Sequence, residues 1–175
     1  MNFRKRVCRN SVSIILAVLL FAGTSFAGIS GFRNAPEFKL GKWMTQNPPN
    51  VDDLDGRVYV VDFWASWCAP CIKGMDELNE INEKYKKDGL VFLSLCQSKS
   101  PEAIKKIIRE KDINFHVAID MGTIDGYDVK GYPTVAVVDH KGRIAWQGHP
   151  SNVNFEKSIR KSLDAVSDAK EKEGT

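Results

Sequence analysis

The stretch FWASWCAPCIKGMDEL, residues 63–78, holds two of the chain's four cysteines, Cys68 and Cys71, with Ala69 and Pro70 between them. Three kinds of chemistry use cysteines at this spacing. A structural zinc site takes four nitrogen or sulfur ligands, often from two such pairs. Here there is no second pair, and Cys96, His116, His140 and His149 are scattered along the chain. A purely structural disulfide gains little from so short a loop, because the entropy it removes from the unfolded chain grows with loop length. The third use is electron transfer. Cys68 falls where strand formers give way to helix formers, so it would sit at a helix N-terminus, where unpaired N–H groups and the helix dipole favour a thiolate. Cys71, one turn on, is expected on the same face within bonding reach, but deeper. Cys68 can then attack a partner's disulfide, and Cys71 can resolve the mixed disulfide that forms. Pro70, in the first turn, removes no helical hydrogen bond. The residues favour this redox reading over the other two.

The pair needs a strand before it and a helix after it. VYVVDFW, 58–64, is nearly continuous in β-branched and aromatic residues, the pattern of a strand buried on both faces. After Cys68 the period changes: Ile72, Met75, Leu78, Ile81 and Tyr85 recur every three or four residues, up to a C-cap at Asp88-Gly89. LVFLSL, 90–95, reads as a second buried strand. Ser100-Pro101-Glu102 opens a second helix with an N-cap, a first-turn proline and an acidic residue, and Ile104, Ile107 and Ile108 line one face. FHVAID, 115–120, is a third strand. TVAVVD, 134–139, and RIAWQG, 143–148, flank His140-Lys141-Gly142 as a hairpin. A last helix begins near Asn154 with Phe155, Ile159, Leu163 and Val166 inside, and the polar tail, about 167–175, is expected to fray. Between 28 and 57, Phe38, Leu40, Trp43 and Met44 suggest a short strand or hairpin. The order predicts an α/β fold, its parallel strands covered on both faces and a hairpin adding antiparallel strands at one side.

VDFWASWCAPC resembles the active-site strand and turn of the thioredoxin superfamily. Gly131-Tyr132-Pro133-Thr134, just before a predicted strand, is similar to the cis-proline loop that faces the cysteine pair in that superfamily. SPEAIKKIIREKDINFHVAID resembles the helix-plus-strand insertion of the extracytoplasmic TlpA/ResA-like group, as do Ala35-Pro36-Glu37-Phe38 and Asp55-Gly56-Arg57. The likeness spans about residues 35–165. It implies a thioredoxin-like fold: a central mixed sheet flanked by helices, with an N-terminal strand extension and a central α-β insertion. It also implies roles. Cys68 would be the exposed nucleophile and Cys71 the resolving thiol. Pro133 would be cis, beside the sulfur pair. Tyr132 would offer backbone hydrogen bonds to an extended partner strand, and Trp67 would shield one side of the sulfurs. Ala69, Pro70 and Thr134 complete the expected substrate surface.

Asp62 lies inside the first central strand, where a carboxylate is costly unless paired or protonated. It matches the buried acid of thioredoxins proper, which takes and returns the proton of the resolving cysteine. ResA-like proteins typically have an uncharged residue there and a glutamate three residues after the second cysteine. Here that position is Gly74, and a proline expected two residues further on is Asp76. The chain mixes the two patterns, and Asp62 would supply the relay in place of the missing glutamate. Gly74 would mark a kink or a close approach. Cys96, at a strand end, reads as a small core residue, with a third redox thiol as the sharper reading.

The chain has 175 residues, 43% of them hydrophobic and 27% charged, within the range of one globular domain. Its first segment differs. Arg4, Lys5, Arg6 and Arg9 precede VSIILAVLLFAG, and Ser25 and Ala27 stand where a signal peptidase prefers small residues. Residues 1–27 therefore read as a signal peptide and 28–175 as the thioredoxin-like domain, exported to the periplasm, or held at the extracytoplasmic face of a membrane if uncut. Cutting there removes four basic residues and no acidic one, taking the formal charge from +3 to −1. The basicity belongs to the targeting segment, and no nucleic-acid partner is implied. Cys8 leaves with that segment, so the remaining three cysteines can form at most one internal disulfide.

The expected activity is thiol–disulfide exchange with protein substrates, in the direction of reduction or isomerisation and most of all as a reductase, as in TlpA/ResA-like proteins serving apo-cytochrome c or a copper-site cysteine pair. No metal or separate cofactor is required. Electrons would come from a membrane thiol–disulfide donor, and the chain would act as a monomer. The rival reading is a metallochaperone holding Cu(I) between Cys68 and Cys71; a peroxidase suits the motif less well.

Overall fold

The apolar run before the cysteine pair becomes the middle of a six-stranded sheet. In the computed structural model, which describes residues 33–98 and 100–173, the strands are β1 (Leu40–Trp43), β2 (Tyr59–Ala65), β3 (Val91–Gln97), β4 (His116–Asp120), β5 (Thr134–Val138) and β6 (Ile144–Gly148). They lie in the order β1-β4-β3-β2-β5-β6. β2, β3 and β4 run parallel, while β5 is antiparallel to β2, β6 to β5 and β1 to β4. Every residue of β2 is buried, as its unbroken apolar pattern requires of a central strand with both faces covered. The expected signal peptide, residues 1–27, lies outside the described residues. Among the described residues no helix is long and apolar enough to cross a membrane.

The helices are α1 (Ala69–Tyr85), α2 (Pro101–Glu110), the one-turn α3 (Thr123–Gly126) and α4 (Asn154–Glu173). The two faces of the sheet are covered differently. Val60 and Trp64 of β2 share a cluster with Met75 and Leu78 of α1, Ile104 and Ile107 of α2, and Phe155 and Ile159 of α4. The alternate residues Tyr59, Val61 and Phe63 pack instead with Leu54, Ile124 and Tyr127, and with Phe38, Leu40 and Trp43 of the N-terminal segment. The three long helices thus take one face, and the N-terminal segment with α3 takes the other. The sequence does not announce α3. Its start is set by Asp120, whose carboxylate accepts the Thr123 and Gly122 N–H groups at 2.9 and 3.3 Å.

The predicted caps form. Ser100 Oγ accepts the Ala103 N–H at 3.3 Å to start α2. Gly89 ends the turn after α1 at φ 95°, a conformation few side chains tolerate. The short-strand-or-hairpin region resolves as β1 alone, laid antiparallel on the inserted strand β4. The polar tail is helical as far as Glu173, where α4 ends. Ala, Lys and Glu are strong helix formers, and Lys170 and Lys172 in the last turn suit the helix dipole. α1 is tied to the insertion by a Lys111–Asp76 ion pair at 2.7 Å and by Asn82 Nδ2 donating to the Asn114 carbonyl at 2.9 Å. Asp76 thus has a structural job in place of the expected proline.

Candidate active site

β2 ends at Ala65, and its carbonyl accepts the Cys68 N–H at 2.9 Å, which turns the chain sharply into α1. Cys68 is the N-cap, and the Cys71 N–H points at its sulfur at 3.3 Å. That is the donor geometry a thiolate at this position would use. Cys68 and Cys71 are joined as a disulfide with their Cα atoms 5.3 Å apart. The expected exposed nucleophile is corrected in this state: Cys68 is only 5% exposed and Cys71 4%. The two differ in position, cap against first turn, and not in exposure. Both cysteines belong to the core cluster that the long helices share with β2.

The loop from 131 to 134 is brought close by β5, whose first residue Thr134 pairs with Phe63. The Tyr132–Pro133 peptide is cis, and Thr134 Oγ1 donates to the Gly131 carbonyl at 2.8 Å. Trp67 is 73% exposed and meets the Tyr132 ring edge-on, with centroids 5.8 Å apart. Ala69 and Pro70 are exposed beside it.

Asp62 is 1% exposed, so it does not point to solvent. It pairs in register with Ser94 on β3, whose hydroxyl donates to its Oδ2 at 2.7 Å. Burial pushes the Asp62 carboxyl from 3.8 up to about 7, with the Ser94 hydrogen bond pulling the other way. A carboxyl poised there can take and return a proton at neutral pH. A cleft of about 370 Å³ brings Asp62, Cys71, Gly74 and Pro133 to one wall-to-wall space. α1 runs unbroken past Gly74, and a Cβ built there would meet nothing within 4 Å. Gly74 therefore marks no close approach; it leaves the place of the expected glutamate in the cleft open.

Cys96 is fully buried, and burial pushes its thiol up to about 12, a rise to which Asp62 adds and which the Ser66 backbone opposes. It is a core residue. Among the described residues no group of three or more His, Cys, Asp or Glu is placed to hold a metal ion. A larger cleft of about 500 Å³ opens at the Tyr59 end of β2, but no cysteine or histidine lines it.

Two parts of the site escaped the sequence reading. Ser94 carried a signal, as the one hydroxyl inside the apolar run LVFLSL. His149, Pro150 and Ser151 join the same cleft from the connection between β6 and α4. They are remote from the cysteines in sequence and form no recognisable motif.

Known proteins match this chain throughout the described domain. The Redoxin family profile matches residues 33–163. The thiol-disulfide oxidoreductase ResA of Bacillus cereus is 30% identical over 143 residues, covering 75% of this chain and 82% of that one. The thioredoxin-like protein YneN of Bacillus subtilis is 30% identical over 121 residues, 67% of this chain and 70% of that one. Among solved structures, a thiol-disulfide isomerase from Corynebacterium glutamicum superimposes with a TM-score of 0.67 at 26% identity, covering 74% of this chain and 97% of that one.

Proposed function

From the premise that the chain belongs to the Redoxin family and is a thiol–disulfide oxidoreductase, we propose that it reduces disulfides in exported protein substrates. The Cys68 thiolate attacks one sulfur of the substrate disulfide, forming the Cys68–substrate bond and releasing the first substrate thiolate. Cys71 gives its proton to the Asp62 carboxylate and attacks Cys68. The Cys68–Cys71 bond forms, the Cys68–substrate bond breaks, and the second substrate sulfur leaves with the electron pair. Two electrons pass from the cysteine pair to the substrate, whose thiolates take up protons.

The observation that carries this reading is the buried Asp62 carboxyl, poised at about 7, sharing one cleft with Cys71. Trp67, Ala69, Pro70, Tyr132, Pro133 and Thr134 form the surface on which an extended substrate segment lies. Pro133 has no N–H, and its neighbours supply the backbone contacts. The basic head, apolar run and small residues of positions 1–27 support export to the periplasm. Substrates are cysteine pairs such as those of apo-cytochrome c, and a membrane dithiol protein returns the electrons.

The test is the reduction potential of the Cys68–Cys71 pair, by equilibration with glutathione or dithiothreitol and thiol trapping. A reductase gives a value near thioredoxin's, about −270 mV; a value near about −120 mV marks an oxidant and overturns the direction.

A further inference from the structure

The proposed reaction loads a proton onto Asp62 in every cycle, and the carboxyl is buried. Asp62 can return that proton to Cys71 when the pair is re-reduced, but a carboxyl already protonated at rest near pH 7 has to lose its proton to water before it can act as the base. The cleft that reaches Asp62 holds about 370 Å³, room for several waters at about 30 Å³ each. Lys73 and Glu77 of α1 and His149 and Ser151 of the β6–α4 connection stand at its exposed rim. The titratable and charged groups around the path are Cys71, Lys73 and Glu77 on α1, Cys96 on β3 and His149; β5 contributes none. Of these side chains only the imidazole has two ring nitrogens, so that one can accept a proton while the other gives one.

The His149 ring is also held for transfer. Its Nδ1 lies 2.8 Å from Ser151 Oγ, and the Ser151 N–H points at the same nitrogen at 3.3 Å. A backbone N–H only donates, so Nδ1 accepts and the neutral ring carries its proton on Nε2. Ser151 itself lines the cleft.

Resting on the reading of Asp62 given above, we propose that His149 and Ser151 carry protons between Asp62 and bulk water. The proton leaves the Asp62 carboxyl through water in the cleft and reaches the Ser151 hydroxyl, which passes one to His149 Nδ1. Nε2 releases a proton to solvent, and the exposed ring regains its Nε2–H form by taking a proton from water at Nε2 and losing the one on Nδ1. No electrons move in this path, and one proton enters for each that leaves. His149 touches neither sulfur; it acts through Asp62. The device occupies the mouth of the cleft whose wall is open at Gly74.

The experiment separates the two steps on the full chain. Attack by Cys68 on a synthetic peptide disulfide is timed in a Cys71→Ser background, and resolution by Cys71 is timed in the intact pair, from about pH 5.5 to 9. His149→Gln and Ser151→Ala are expected to slow resolution at pH 7 by about tenfold, less than the 10²–10⁴ of a group touching the reacting atoms. Attack by Cys68 stays unchanged, the defect closes toward high pH as hydroxide takes over, and free imidazole restores the His149→Gln rate. Asp62→Asn is measured alongside. If it is slow while both rim variants overlay the parent at every pH, the outlet is refuted and the Asp62 relay stands. If Asp62→Asn also overlays the parent, the relay itself is refuted.

Discussion

The strongest quantitative consequence of the site concerns stability. Asp62 binds its proton with a value of about 7 in the folded protein against 3.8 for a free carboxyl. The sign follows from linkage. Between these values the folded state holds a proton that the unfolded state has lost, so stability falls as pH rises through about 4 to 7 and levels off above. Below the window both states are protonated and the penalty is absent. At about 1.4 kcal/mol per unit, the full penalty reaches an upper limit of about 4 kcal/mol.

Asp62→Asn removes it, because an amide of the same shape carries no charge and its oxygen can still accept from Ser94. The oxidised parent and variant are compared by urea unfolding at about pH 4.5, 6 and 8. The variant should gain little at the lowest pH and several kcal/mol at the highest, a midpoint shift of up to about 2 M urea. His116, whose imidazole burial pushes down, contributes its own pH dependence but is common to both proteins and cancels in the difference. A difference that stays constant from pH 4.5 to 8, or that shrinks as pH rises, refutes the burial argument for Asp62.

Two further outcomes follow from the same geometry. Gly74→Ala should raise unfolding stability by up to about 1 kcal/mol, since a Cβ there meets nothing and the helix loses its most flexible residue; a loss of stability would show that the cleft wall cannot accept it. Cys96 should resist iodoacetamide in the folded protein at about pH 8 and react only on unfolding, because burial removes both access and thiolate. Rapid labelling of folded protein, read by mass spectrometry, would reopen a redox role for it.

The parts of the fold that were legible in the sequence are those where one physical signal dominates. The continuous apolar run of β2, the three-to-four spacing along α1, and the cap at Ser100 each specify an element locally. The cysteine pair was legible for the same reason, since two adjacent elements place both residues. What could not be read depends on distant chain segments. The sequence does not say that one sheet face is covered by the N-terminal segment, because Phe38 and Trp43 show no clear period. The near-equal burial of Cys68 and Cys71 is not revealed by position in the helix alone. The His149–Ser151 rim is assembled only when β6 returns beside β5 and delivers the next loop to the cleft. The sequence sets no end for α4, because the polar residues of its last turns are helix formers as well as surface residues.

The most direct test of the central claim is to trap the reaction halfway. Cys71→Ser and Cys68→Ser variants are each reduced, mixed with a disulfide-bonded protein such as insulin, quenched in acid and mapped by mass spectrometry. The account predicts a mixed disulfide at Cys68 that accumulates in Cys71→Ser, and none at Cys71 in Cys68→Ser. A mixed disulfide at Cys71, or no adduct in either variant, would contradict it.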